Sequence, residues 1–132
     1  MQYHRLLPAI FILFMGHFAH ATEVLRIGVL YWSMNIPGQV AMRQGLEAEA
    51  ERLNARAKAA GLPMLELIPQ VAGDGPGGIE RQISQMQDMV AQRPAVIIVQ
   101  PTDNAALAQP LRAANAAGIP VVAYDQYISG GK

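Results

Sequence analysis

Two periods interleave along the chain. Short apolar runs rich in Val, Ile and Leu alternate with longer segments whose apolar residues recur every three or four positions. Leu25 to Trp32 is apolar and partly β-branched, as suits a strand buried on both faces. Gln39 to Ala60 is rich in helix formers, with Leu46, Ala50, Leu53 and Ala57 on one stripe. Gly61 and Pro63 end that helix. Leu65 to Val71 is a second strand, which Pro69 assigns to a sheet edge. Ile79, Ile83, Met86 and Val90 mark a helix from about Gly78 to Gln92. Ala95 to Val99 is a third strand. Asn104 to Ala117 is a third helix with Leu107, Leu111 and Ala114 inward, and Pro110 marks either a kink or its true first turn. Val121 to Tyr124 is the fourth strand.

Strands that alternate with helices predict right-handed crossovers and an α/β fold, a three-layer parallel sheet with helices on both faces. In such sheets ligands bind beyond the carboxyl ends of the strands, where the strand order reverses. The residues at those ends are Trp32, Ser33, Asn35 and Gln39 after the first strand, Gln100 after the third, and Asp125 and Gln126 after the fourth. Tyr31, Trp32, Tyr124 and Tyr127 stand among them. Aromatic faces beside amide and carboxylate heads suit a neutral, hydroxyl-rich ligand. Asp125 is the sharpest candidate, because a carboxylate there can accept bonds from vicinal hydroxyls. Asp103 is read as a cap for the third helix.

The residues before Leu25 form a separate segment. A basic start at Arg5, an apolar run from Leu6 to Phe18 and the sequence Ala19-His20-Ala21 match an export signal cleaved after Ala21. The chain has no Cys, and its three His (His4, His17, His20) all lie in that segment. Residues 22–132 therefore carry no His or Cys for nucleophilic catalysis or metal ligation, and no cofactor is expected. Ten Lys+Arg balance ten Asp+Glu, which argues against a nucleic-acid partner. The run Gly73-Asp74-Gly75-Pro76-Gly77-Gly78 satisfies G-x-G-x-x-G, but after the second strand rather than the first, so it is read as a surface turn. Gly130-Gly131-Lys132 lacks the rest of a phosphate-binding loop.

Three segments carry a family resemblance. They are Ile27-Gly28-Val29 leading to Asn35-Ile36-Pro37 and the helix through Gly45; Ala95-Val96-Ile97-Ile98-Val99-Gln100-Pro101-Thr102-Asp103; and Ala117-Gly118-Ile119-Pro120-Val121-Val122-Ala123-Tyr124-Asp125. Together they resemble the N-terminal lobe of type I periplasmic binding proteins, the ribose- and galactose-binding group whose fold lactose-repressor-like regulators share. The resemblance implies that Asp125 contacts sugar hydroxyls and that Trp32 to Gln39 forms one wall of an interlobe cleft. It departs at Gly38-Gln39, where the family places aromatic residues, and at Gln126, where it often places Arg. Because the family has a second lobe, residues 22–132 are expected to be one lobe of an incomplete or truncated chain. The function implied is that of a periplasmic solute-binding protein of an ABC transporter, taking a sugar-like ligand to a permease, with no catalysis and no membrane insertion after cleavage. The alternative on the same fold is a periplasmic sensor subunit that presents its ligand to a membrane receptor or histidine kinase. A secreted enzyme using Asp or Glu is a more distant alternative.

Overall fold

The structure is a computed structural model that describes residues 23–130. The export signal read at residues 1–21 lies outside the described residues. Seven elements follow in order: β1 Val24–Tyr31, α1 Pro37–Ala60, β2 Met64–Val71, α2 Pro76–Gln92, β3 Val96–Val99, α3 Ala108–Ala116 and β4 Val121–Ala123. All four strands are parallel in the order β2-β1-β3-β4. Each strand and helix lies within a few residues of its predicted span.

The sheet grows outward from β1. The first crossover sets β2 on one side of it, and the second crosses over β1 to set β3 on the other. The order therefore reverses between β1 and β3. β2 is an edge strand, so its Pro69, opposite Val29, removes no bond between strands that the sheet needs. α1 caps one residue of that edge: the Asn54 carboxamide donates to the Leu65 carbonyl at 2.9 Å and accepts from the Leu65 N–H at 2.6 Å. Satisfied in this way, the Leu65 groups offer no pairing site to a stray strand.

The helices divide between the faces. On one face α2 and α3 close over Leu30, Ile97 and Val99 with Met86, Met89, Leu107, Leu111 and Ala114, all buried. Ile119 and Ile128 complete this core from outside the helices. Among the described residues α1 alone lies on the opposite face, where Leu46, Ala50 and Leu53 meet Ile27, Leu65, Leu67 and Ile98 around a groove of about 180 Å³.

Local chemistry fixes the helix ends. α1 starts with Pro37 in its first turn and stops at Gly61, whose φ of 65° is left-handed. There the Leu62 N–H reaches the Ala57 carbonyl at 2.9 Å and the Gly61 N–H reaches Lys58 at 3.4 Å, the paired closure typical of a glycine stop. Pro110 proves to lie in the first turn of α3, so it costs the helix no bond. Asp103 caps the lead-in turn before α3 rather than the helix itself, accepting from the Ala105 and Ala106 N–H groups at 2.8 Å each.

One periodicity is corrected. The inward residues of α2 are Gly78, Gln82, Met86 and Met89, while Ile79, Ile83 and Val90 lie at the flanks of that line. Gly28 on β1 leaves room for this arrangement. A Cβ there would stand 2.5 Å from Met89 Cγ and Sδ, so the bare backbone lets Met89 sit against the sheet.

Candidate ligand-binding edge

Parallel strands deliver all their carboxyl ends to one edge. β1 exits into Trp32 and Ser33, β2 into Ala72 and Gly73, β3 into Gln100 and Pro101, and β4 into Tyr124 and Asp125. Ladder bonds continue past the strands and hold these exits in register. The Ala72 N–H donates to the Tyr31 carbonyl at 2.9 Å, Gly73 to Trp32 at 2.7 Å, Gln100 to Leu30 at 2.8 Å and Tyr124 to Val99 at 3.1 Å.

Gln100 stands at the switch point between β1 and β3 and is fully buried. Its side-chain oxygen accepts the Trp32 backbone N–H at 3.3 Å, and its side-chain nitrogen donates to Asp125 Oδ2 at 3.1 Å. One carboxamide thus ties the exit of β1 to that of β4 across β3. Asp125 itself is exposed, with φ of 66°. The Gln126 N–H closes back onto the Tyr124 carbonyl at 2.8 Å, making a three-residue turn with Asp125 at its centre. A non-glycine residue in that region is strained, and Asp is among the few that accept it. Such outliers collect where a side chain must be aimed.

A second group lies beside the first. The Ser33 hydroxyl, buried, accepts the Asn35 backbone N–H at 3.0 Å. The Asn35 side chain donates to Asp74 Oδ2 at 2.8 Å. Hydrogen bonds from the Ser33 hydroxyl and then the Asn35 amide hold the Asp74 carboxyl below the usual carboxylate range. The loop that carries Asp74 lays its Gly73 carbonyl oxygen against Gly78 in the first turn of α2, where any Cβ would collide with it.

The structure therefore brings Trp32, Ser33, Asn35, Gln100 and Asp125 to one edge in two bonded groups joined through Trp32 and Ser33. Gln126 contributes its backbone to the Asp125 turn. Gln39 is placed differently: it is buried within the first turn of α1, and its side-chain oxygen has no partner among the described residues. Thr102 Oγ1 and the Tyr124 hydroxyl are also buried without partners there. Buried polar atoms without partners are rare in folded proteins, and two of the four such atoms among the described residues, Thr102 Oγ1 and the Tyr124 hydroxyl, belong to these strand exits. Burial, and then the Asp125 charge, pushes the Tyr124 hydroxyl up. Tyr31 ends β1 on the α1 face, where burial and then Glu47 push its hydroxyl up to about 12 while Arg43, 4.8 Å over the ring, opposes the shift.

Sequence reasoning missed Asp74, Gln82 and Thr102. Asp74 was hidden in a glycine-rich run and meets a residue 39 positions away. Gln82 had a signal: it lies four residues before Met86 and seven before Met89, so it falls on the inward line of α2, where a glutamine needs partners.

A family model described as a periplasmic binding protein domain matches residues 27–132. A ribose import binding protein of Bacillus subtilis is 28% identical over 106 residues, covering 80% of this chain and 30% of that protein. Among solved structures, an ABC sugar transporter subunit from Rhodobacter sphaeroides matches with a TM-score of 0.65 at 28% identity, over 84% of this chain and 35% of that one. A Caulobacter myo-inositol binding protein, solved with myo-inositol bound, matches with a TM-score of 0.62 at 29% identity, over 82% and 32% of the two chains. The chain thus spans about a third of the length of these relatives.

Proposed function

The chain belongs to the periplasmic binding protein domain family, and on that premise we propose that it binds a sugar or related polyol at the strand-exit edge. It does so as a solute-binding component of an ABC importer, exported by residues 1–21 with cleavage after Ala21. The observation that carries the reading is Asp125. Its carboxylate is exposed at the edge, presented by a left-handed turn and steadied by the Gln100 carboxamide at 3.1 Å. One carboxylate oxygen so engaged leaves the other able to accept from a ligand hydroxyl. Asn35, Ser33 and the half-buried Trp32 stand on the neighbouring exit, supplying polar groups and an indole face. Binding followed by release to a permease asks for no nucleophile or general acid, and this edge assembles amides, hydroxyls and carboxylates. The relatives named as transporter components favour transport over the sensor alternative.

Calorimetric titration of the full chain with D-ribose, D-allose, D-glucose and myo-inositol tests the reading. Heat is expected from at least one. Asp125→Asn keeps a residue that tolerates the left-handed backbone but loses the charge, and it should weaken that binding about tenfold or more. Silence from all four ligands in the unaltered chain overturns the reading.

A further inference from the structure

Gln82 is a fully buried polar residue in the middle of an apolar helix face. Its side-chain nitrogen donates to the Gln100 carbonyl at 2.8 Å, and its side-chain oxygen accepts the Thr102 backbone N–H at 2.7 Å. The two backbone groups lie two residues apart along the chain. A residue of a neighbouring parallel strand would pair with the same two groups, its N–H to one carbonyl and its C=O to the N–H two residues on. The Gln82 carboxamide, which has the polar groups of a peptide, thus stands in for a strand residue just where β3 has ended.

We propose that Gln82 is a positioning residue for the strand-exit site and acts through Gln100. By fixing the Gln100 carbonyl and the Thr102 N–H it fixes the backbone from which the Gln100 side chain projects. That side chain then has one geometry in which its oxygen meets the Trp32 N–H and its nitrogen meets Asp125. Four hydrogen bonds through two fully buried carboxamides carry the orientation from α2 to the exits of β1 and β4. An unpaired partner in a buried network is costly, so the arrangement holds as a unit. The role in binding rests on the proposed reading of this edge; the relay itself is a property of the unliganded protein.

Gln85 supplies the control. It lies on the same helix and donates to the Val71 carbonyl at 3.0 Å, a bond of the same kind directed at β2. In nuclear magnetic resonance spectra of the full chain without ligand, Gln82→Leu should shift the Trp32 backbone amide and the Gln100 side-chain amide. Gln85→Leu should leave both in place. With the tightest of the four ligands above, Gln82→Leu should lose about tenfold in affinity and Gln85→Leu less than about twofold. Should Gln82→Leu fail to fold, Gln82→Glu retains the acceptor for Thr102 and removes the donor to Gln100, and should shift the same two signals. In the unaltered protein, the Gln100 side-chain protons should exchange far more slowly than those of exposed Gln44. Equal responses to the Gln82 and Gln85 variants, or equal exchange at Gln100 and Gln44, overturn the relay. No binding of any ligand by the unaltered protein sinks the functional reading instead and leaves the relay to the spectra.

Discussion

The two faces of the sheet are built from the same kinds of residue and end in different states. Ile97 and Val99 face α2 and α3 and are fully buried. Ile98, between them on the same strand, faces the α1 side and is only half-buried. On that side Val122 on β4 is 52% exposed, whereas Val29 and Tyr31 on β1, beneath α1, are buried. The difference is one of width. A helix with its side chains is about 10 Å across and strands are about 4.8 Å apart, so one helix covers about two strands. α2 and α3 together roof four strands, whereas α1 roofs β2 and β1 and leaves β3 and β4 open among the described residues. Apolar patterning thus marks a surface as fit for burial; only the number of helices decides whether it is buried.

Substitutions on the closed face should separate the faces most. Leu30→Ala empties a fully enclosed site and should cost about 2–5 kcal/mol in chemical denaturation. A loss under about 1 kcal/mol would mean that the closed face is no better packed than the open one. Gly28→Ala comes next, at about 1–3 kcal/mol for overpacking against Met89. In a Met89→Ala background, itself destabilised by truncation, the Gly28→Ala step should cost much less than in the unaltered protein, since the clash has gone; simple additivity would place the strain elsewhere.

A pH effect singles out the deep end of the α1 face. The Tyr31 hydroxyl is raised from 10.0 to about 12 in the folded chain. Folding therefore favours its protonated form, and the contribution is complete below pH 10 and lost as the pH rises through about 12. The decline in stability across that window should be shallower in Tyr31→Phe; identical slopes would show that the ring is not enclosed. The smallest effect belongs to the open half. Val122→Lys should change stability by less than about 0.5 kcal/mol, and a large loss would mean that Val122 is covered in solution.

Much of this architecture is legible in the residues themselves. The run Val96–Val99 has no other reading, and Pro69 declared β2 an edge strand before any pairing was known. Asp125 could be placed at the carboxyl edge because an apolar strand runs straight into it. Its left-handed backbone could not, since φ is set by the turn that Gln126 closes rather than by residue type. The Asn35–Asp74 bond was out of reach for a related reason: it joins two loops that meet only once β1 and β2 pair. The seating of Met89 depended on an absent side chain at Gly28, and a helical stripe judged by itself carries no information about the strand beneath it. Gln82 shows the reverse case, a polar residue on an apolar line that signals its own network.

The central position of β1 has a consequence in time. β1 is made first, yet its two neighbours are β2 and β3, and β3 lies beyond two helices. Synthesis at about 5–20 residues per second leaves the stretch Leu25–Tyr31 waiting for seconds with both backbone edges unpaired. The residue order thus sets a schedule: the strand around which the whole sheet is organised cannot be secured on its second side until Val96–Val99 has left the ribosome.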